Sequence, residues 1–172
     1  MIPLSIADIA EITGGSLDCV SDPDQRVTGF IEFDSRKVTT GGLFLALPGA
    51  RVDGHDYAEK AIEQGAVAVL AARPVGVPAV VVKPQGRVTG DAANADIYAH
   101  DEDGSAAAVV QALSDIAREV TRRLTAEQGL EIVGVTGSAG KTSTKDLLAT
   151  IFRAEGDTCL LYTSPSPRDL ST

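Results

Sequence analysis

The chain has 172 residues and a mass of 17.8 kDa, which is enough for one ordinary domain or two small ones. Apolar residues make up 44% and charged residues 23%, as in soluble globular proteins, so a chain that is disordered throughout is excluded. Twenty-four acidic against 15 basic residues give a net charge of −9. This charge repels nucleic acid and anionic membrane surfaces, and we expect neither as a partner.

Cysteine usage and the N-terminus both point to the cytoplasm. Cys19 and Cys159 are too few and too far apart for a thiolate metal cluster or a disulfide framework. The first eight residues lack a basic start and include Asp8, unlike a secretory signal. The most apolar stretch, residues 66–82, is interrupted by an arginine and two prolines and is shorter than the roughly 20 residues of a membrane helix. We therefore expect a cytoplasmic protein without membrane insertion.

Residues 1–85 predict a compact α/β domain. Ser5 and Asp8 form a capping box that begins a helix, and Gly14 or Gly15 ends it. A second helix is expected after residues 53–56, with Gly65 at its end. Short β-branched or apolar runs predict four strands, at residues 27–33, 43–47, 66–70 and 79–82. Alternation of strands and helices of this kind is typical of an α/β fold.

Residues 86–128 predict an acidic loop followed by a linking helix. Five acids and no Lys or Arg between Asp91 and Gly104 indicate a solvated loop insertion; the acids are Asp91, Asp96, Asp101, Glu102 and Asp103. From Ser105, expected as the cap, apolar residues recur at helical spacing, with Glu119 and Arg123 paired on the solvent side. We expect this amphipathic helix to bridge two domains.

A phosphate-binding loop is predicted in residues 129–158. The apolar run 130–135 indicates a buried strand, and an apolar-faced helix follows the glycine-rich turn. The turn contains Thr136, Gly137, Ser138, Ala139, Gly140, Lys141, Thr142 and Ser143. Its backbone N–H groups and the helix N-terminus suit a polyphosphate such as ATP, with Lys141 reaching the β- and γ-phosphates and Thr142 ligating Mg²⁺. The strict motif has glycine where Val135 stands, so the match is imperfect.

The shortened loop Thr136–Thr142 resembles that of the Mur ligases and the folylpolyglutamate synthetases, which form amide bonds. Three further motifs resemble the uridine-nucleotide domain of the later Mur ligases: residues 34–38 (DSRKV), 41–49 (GGLFLALPG) and 53–56 (DGHD). Folylpolyglutamate synthetases lack that domain. The resemblance therefore favours the Mur ligase family.

The resemblance implies a fold and a reaction. The fold would be a small N-terminal α/β uridine-nucleotide domain, followed by the first strand, P-loop and helix of a parallel-sheet ATPase domain that is truncated here. Ser138-Ala139 and residues 144–146 look more like the family members that join D-alanyl-D-alanine to UDP-N-acetylmuramoyl-tripeptide through an acyl phosphate. The sister ligase that adds the third amino acid, a uridine-nucleotide-binding module without catalysis, and an unrelated P-loop ATPase are the alternatives. We expect a monomer.

The resemblance also assigns site residues. Lys141 and Thr142 would serve catalysis, with Mg²⁺ held through Thr142. Asp34, Ser35, Arg36 and His55 would lie near the uridine diphosphate, and the planar fork of Arg36 suits its oxyanions. Two other interpretations stay open: Asp34 and Arg36 as a turn-stabilising pair, and His55 as a capping residue.

The resemblance covers roughly a third of a Mur ligase. Residues 129–158 would be the start of the central ATP-binding domain, whose sheet neighbours are missing, so we expect residues from about 129 onward to be poorly ordered in solution. The tail 159–172 does not resemble the ligase and looks like a translated sequencing adapter. We expect this tail to be non-native, and a divergent native segment is the alternative.

Overall fold

The computed structural model describes residues 2–49, 52–84, 86, 101–137 and 139–161. The chain divides into two units, residues 1–130 and 131–172, and each is described by itself. Ser138, the acidic stretch 87–100 and tail residues 162–172 lie outside the described residues. In the described part of the chain, no helix is both long enough and apolar enough to span a membrane.

The first unit begins with strand β1 (Leu4–Ser5) and helix α1 (Ile6–Thr13). The Ser5 hydroxyl accepts the Asp8 N–H at 3.0 Å, and the Asp8 carboxylate accepts the Ser5 N–H at 2.9 Å. Gly14 ends the helix in the left-handed conformation, at φ 63°. The predicted capping box and helix end are therefore confirmed.

The part of the chain that the structure describes contains six further strands: β2 (Ser16–Asp18), β3 (Arg26–Val27), β4 (Ile31–Glu32), β5 (Gly42–Leu45), β6 (Ala66–Ala71) and β7 (Ala79–Val81). Five of them form a sheet of order β2-β7-β6-β5-β4, in which β2 runs antiparallel to β7 and the other pairs are parallel. Strands β1 and β3 pair separately as an antiparallel ribbon.

The prediction of a single strand at 27–33 is wrong, because regular strand structure is interrupted between β3 and β4. The Thr28 and Gly29 N–H groups both donate to the Gly41 carbonyl, at 3.0 and 2.9 Å, which interrupts a regular ladder. A side chain at Gly29 would lie 2.7 Å from the Gly42 nitrogen, so only glycine permits this approach.

Both faces of the sheet are covered. On β5, Leu43 and Leu45 join a core cluster formed with α1, whereas Phe44 packs on the opposite face against helix α2 (Ala58–Glu63). Strand β6 is buried along nearly its whole length for the same reason. Parallel strands with both faces covered leave their ends as the accessible part of the sheet.

Helix α3 (Ser105–Gln128) belongs to the first unit, and its role as a link between domains stays a prediction. Its buried residues Val109, Ala112 and Ile116 join the same core cluster as α1. The predicted pair on its solvent side is present, since the Arg123 Nε donates to the Glu119 carboxylate at 2.7 Å.

The start of α3 differs from the sequence interpretation. The carboxylate of Asp101, expected in a solvated loop, is buried and accepts the N–H groups of Ala106 and Ala107, both at 2.9 Å. The N-cap residue is Gly104, and Ser105 instead donates its hydroxyl to Asp103. Asp101 is buried because an anion at a helix start satisfies N–H groups that have no partner within the helix.

In the second unit, helix α4 (Lys141–Glu155) forms as predicted, but the strand predicted at 130–135 does not. Residues 131–137 have no regular secondary structure, and the side chain of Ile132 is 69% exposed. The reason is that no described strand pairs with this segment, and an unpaired strand cannot satisfy its backbone hydrogen bonds.

The Asp101 cap gives a first prediction. Asp101→Ala should lower the free energy of unfolding by about 1–2 kcal/mol, because two buried N–H groups lose their acceptor. Urea unfolding followed by circular dichroism measures the change. The control is Glu102→Ala, an exposed acid next in the chain, which should change the stability by less than about 0.5 kcal/mol. Equal effects of the two substitutions would contradict the capping role.

Candidate functional site

A cleft of about 440 Å³ opens in the first unit at the carboxyl ends of β4 and β5. In parallel sheets of α/β proteins, ligands bind at this end of the strands. The residues that follow β4 form one wall, and residues from the segment after β5 form the other. The cleft is lined by Phe33, Asp34, Ser35, Arg36, Phe44, Leu47, Val52, Gly54, Tyr57 and Lys60.

The first wall is a 3₁₀ helix at Ser35–Lys37, directly after β4. Asp34 begins it, since its carboxylate accepts the Arg36 N–H at 3.1 Å. Ser35 is buried, whereas the Arg36 side chain is 78% exposed. The structure therefore brings the three predicted residues Asp34, Ser35 and Arg36 together in one cleft.

Asp34 and Arg36 form a two-pronged ion pair. The Arg36 Nε and one of its terminal nitrogens donate to the two carboxylate oxygens of Asp34, at 2.9 and 2.8 Å. The hydrogen bonds from the Arg36 side chain, followed by the one from its backbone, lower the pKa of Asp34 to about 2. The pair thus stabilises the turn, as one interpretation of the sequence held, and also lies in the cleft.

The second wall is built on a close approach of two backbone segments. A 3₁₀ helix at Gly54–Tyr57 precedes α2, and the Gly54 N–H donates to the Leu47 carbonyl at 2.9 Å. A side chain at Gly54 would lie 2.5 Å from that oxygen, so a residue without Cβ is required. The contact holds Tyr57 and Lys60 beside the strand ends.

His55 is not among the residues that line the cleft, and its substrate-binding role stays a prediction. The ring is buried, with Nδ1 2.6 Å from the Asp53 carboxylate, and Nε2 accepts the Ala72 N–H at 3.1 Å. Both ring nitrogens therefore bind the protein itself. His55 is a structural residue that ties the second wall to the end of β6.

Asp53 holds this network together. Burial raises the pKa of Asp53, but hydrogen bonds from the His55 backbone and ring and from Arg73 outweigh it and lower the pKa to about 2. Arg73 approaches a second acid, Asp56, at 3.6 Å. The carboxylate form of Asp53 is thus the one that the fold stabilises.

An aromatic part of the cleft was missed by the sequence reasoning. Phe33 is 69% exposed and lines the cleft together with Tyr57 and Val52, which are also exposed. A large apolar side chain left in solvent at a strand end contributes little to the core, but this exposure is visible only in the fold. Its position just before Asp34 could have indicated a surface for a planar ring.

The predicted phosphate loop lies in the second unit. Gly137 and Gly140 have φ values of 153° and 79°, which favour glycine, and Lys141 begins α4. The first N–H groups of this helix have no acceptor within it, and Gly140 has no side chain to cap them. The Lys141 ammonium donates to the Gly137 carbonyl across the turn. A helix start with this donor set and an adjacent ammonium suits a phosphate group.

The Asp53 network gives a second prediction, on pH. Because the pKa of Asp53 is lower in the folded chain than its ordinary value, its stabilising contribution is present above pH 4 and is lost as the pH falls toward 2. The stability difference between the wild type and Asp53→Asn should therefore be constant above about pH 5 and shrink below pH 4.

Urea unfolding at a series of pH values measures this difference. The control is Asp56→Asn, which removes another acid of the same segment. Among the described residues, Asp56 forms an ion pair with Arg73 and with no other side chain. A difference for Asp53→Asn that does not change between pH 5 and pH 2 would contradict the network.

Comparison with known proteins shows the family of this chain. The sequence profile of the Mur ligase family, catalytic domain, matches residues 28–125, which is more than half of the chain. The chain is 57% identical over 160 residues to the UDP-N-acetylmuramoyl-tripeptide--D-alanyl-D-alanine ligase of Mycobacterium leprae, covering 91% of this chain and 31% of that protein. The corresponding protein of Mycobacterium tuberculosis strain H37Rv is 54% identical with the same coverage.

More distant relatives have other names. A UDP-N-acetylmuramoyl-L-alanyl-D-glutamate--2,6-diaminopimelate ligase of Geobacillus thermodenitrificans is 38% identical over 128 residues. Among solved structures, MurF from Acinetobacter baumannii superposes with a TM-score of 0.60 at 25% identity, covering 88% of this chain and 28% of that one. The chain spans about a third of the length of the curated relatives that it matches. With a family profile that matches more than half of its residues, the chain belongs to the Mur ligase family.

Proposed function

We propose that the chain is the front part of an ATP-dependent ligase that joins D-alanyl-D-alanine to UDP-N-acetylmuramoyl-tripeptide in peptidoglycan precursor synthesis. The single observation that carries this is the cleft at the carboxyl ends of two parallel strands, with Asp34, Ser35 and Arg36 in it. The relatives with the higher identities bear the name of this reaction.

In this proposal the first unit holds the uridine nucleotide. The exposed faces of Phe33 and Tyr57 suit a planar base, because aromatic rings stack on one another. Ser35 and Arg36 supply donors for the diphosphate, and the guanidinium suits oxyanions. His55 acts through Gly54 and Tyr57, by keeping their segment against the sheet.

The second unit would bind ATP. The turn contains Thr136, Gly137, Ala139 and Gly140, and also Ser138, which lies outside the described residues. The helix begins with Lys141, Thr142 and Ser143. The Lys141 ammonium would leave the Gly137 carbonyl and neutralise charge on the γ-phosphoryl group. The Thr142 hydroxyl would be one ligand of Mg²⁺, which supplies further charge neutralisation when bound.

The reaction then proceeds in two steps. A substrate carboxylate oxygen attacks the γ-phosphorus of ATP, the bond to the β-phosphate oxygen breaks, and ADP leaves. The amine of D-alanyl-D-alanine attacks the acyl carbonyl, loses a proton, and expels inorganic phosphate. The described residues serve the first step, since Lys141 stabilises the charge of the transferred group.

Several finer assignments belong to the same proposal. Residues 1–85 bind the uridine nucleotide, 86–128 are an acidic loop and a linking amphipathic helix, 129–158 begin the ATP-binding domain, and 159–172 are a non-native tail. The protein acts in the cytoplasm as a monomer. The sister ligase that adds the third amino acid is not favoured, because the relative of that type has 38% identity against 57%.

A third prediction tests the uridine-nucleotide site. In calorimetric titration, the 172-residue chain should bind UDP-N-acetylmuramic acid but should not hydrolyse Mg²⁺-ATP, because the chain covers only 31% of its relatives. Arg36→Ala should weaken binding by about tenfold, since it removes donors and leaves the Asp34 charge unpaired. Arg118→Ala, on the solvent side of α3, is the matched control and should bind as the wild type does. Absence of binding by the wild-type chain would contradict the site.

A fourth prediction tests the reaction. Residues 1–158 of this chain, replacing the matching segment of the Mycobacterium tuberculosis ligase, should give a chimera that adds D-alanyl-D-alanine to the tripeptide substrate. Lys141→Ala in the chimera should lower kcat by about 100-fold or more, because one charge-stabilising group is lost.

The control in the chimera is Arg153→Ala, which removes an exposed cation from the last turn of α4. This variant should keep its kcat within about twofold. A folded chimera that hydrolyses ATP without forming the amide bond would contradict the proposed reaction. A Lys141 variant with unchanged kcat would contradict the role of the loop.

A further inference from the structure

The charges in the uridine-nucleotide cleft are distributed unequally. Its lining contains one acid, Asp34, and two cations, Arg36 and Lys60. A nucleoside diphosphate carries about two to three negative charges near neutral pH and binds best where positive charge is not already compensated. The cation with a free charge is therefore the one to identify.

The Arg36 charge is compensated. Both oxygens of Asp34 accept hydrogen bonds from its guanidinium, at 2.9 and 2.8 Å. Because the pKa of Asp34 is about 2, the carboxylate keeps its charge at neutral pH. An incoming phosphate meets a pair with no net charge, in which Arg36 offers directed N–H donors and Asp34 repels anionic oxygens.

The Lys60 charge has no partner among the described residues. Lys60 lies on α2, whose buried residues Ala58 and Ala61 pack against the sheet. Among the residues that the structure describes, Lys60 forms no hydrogen bond or ion pair, whereas nearby Arg73 is paired with Asp53 and Asp56. Its ammonium is thus available to a ligand in the cleft.

We propose that Lys60 supplies the net positive charge that binds the diphosphate of the uridine nucleotide, while Arg36, fixed by Asp34, orients that diphosphate through directional hydrogen bonds. The inference rests on the proposed function, since it names a further binding residue of the same cleft. No feature of the Asp34-Ser35-Arg36 motif predicts it, because Lys60 lies more than twenty residues away in the sequence.

The test uses the 172-residue chain and UDP as the probe. Calorimetric titrations compare the wild type with Lys60→Gln, Lys60→Arg and Lys83→Gln. The last removes the same charge from an exposed lysine outside the cleft lining. We expect Lys60→Gln to weaken UDP binding by about five- to tenfold and to reduce its dependence on salt concentration, because a screened charge interaction is lost.

Lys60→Arg should retain affinity within about threefold, since it keeps the charge, and Lys83→Gln should bind as the wild type does. Melting temperatures should agree among the four proteins, which separates a charge role from a role in folding. Equal affinities of Lys60→Gln and Lys83→Gln would overturn the inference alone, as would an equal loss in Lys60→Gln and Lys60→Arg. A wild-type chain that binds no UDP would overturn the proposed function and this inference together.

Discussion

The burial of β5 and β6 on both faces is the constraint on which the first unit depends. Leu43 and Leu45 on one side and Phe44 on the other leave no face of β5 open to a ligand. Parallel strands in this position must be covered by helices, and α1, α2 and α3 provide the cover. A ligand can therefore bind only at the strand ends, where side chains are not needed to pack the core.

Local signals predicted the elements well where the structure depends on nearby residues. The capping box of Ser5 and Asp8, the helix that follows the predicted phosphate loop and the apolar stripe of α3 each need only their own segment. Prediction failed where distant backbone decides the outcome. Gly41 breaks the strand expected at 27–33, and the 130–135 run has no described neighbour to pair with.

The candidate site shows the same division. Asp34, Ser35 and Arg36 could be identified from a motif, and the structure brings them into one cleft. His55 also belongs to a motif, residues 53–56, but its ring is buried. The ring nitrogens contact Asp53 and the N–H of Ala72, which lies 17 residues after His55 in the chain. Phe33 and Lys60 carry no motif, and their place in the cleft depends on how β4 and α2 lie in the fold. Sequence patterns thus predicted candidate site residues, and the fold determines which side chains line the cleft.

The backbone contact between Gly54 and Leu47 holds the second wall of the cleft in place without using the side chains that line the cleft. The position of the second wall beside the end of β5 is set by this main-chain hydrogen bond and not by the side chains that line the cleft. Substitutions at Tyr57 and Lys60 leave this hydrogen bond in place, since neither side chain takes part in it. A scaffold of this kind lets ligand preference diverge by single substitutions while the architecture stays constant.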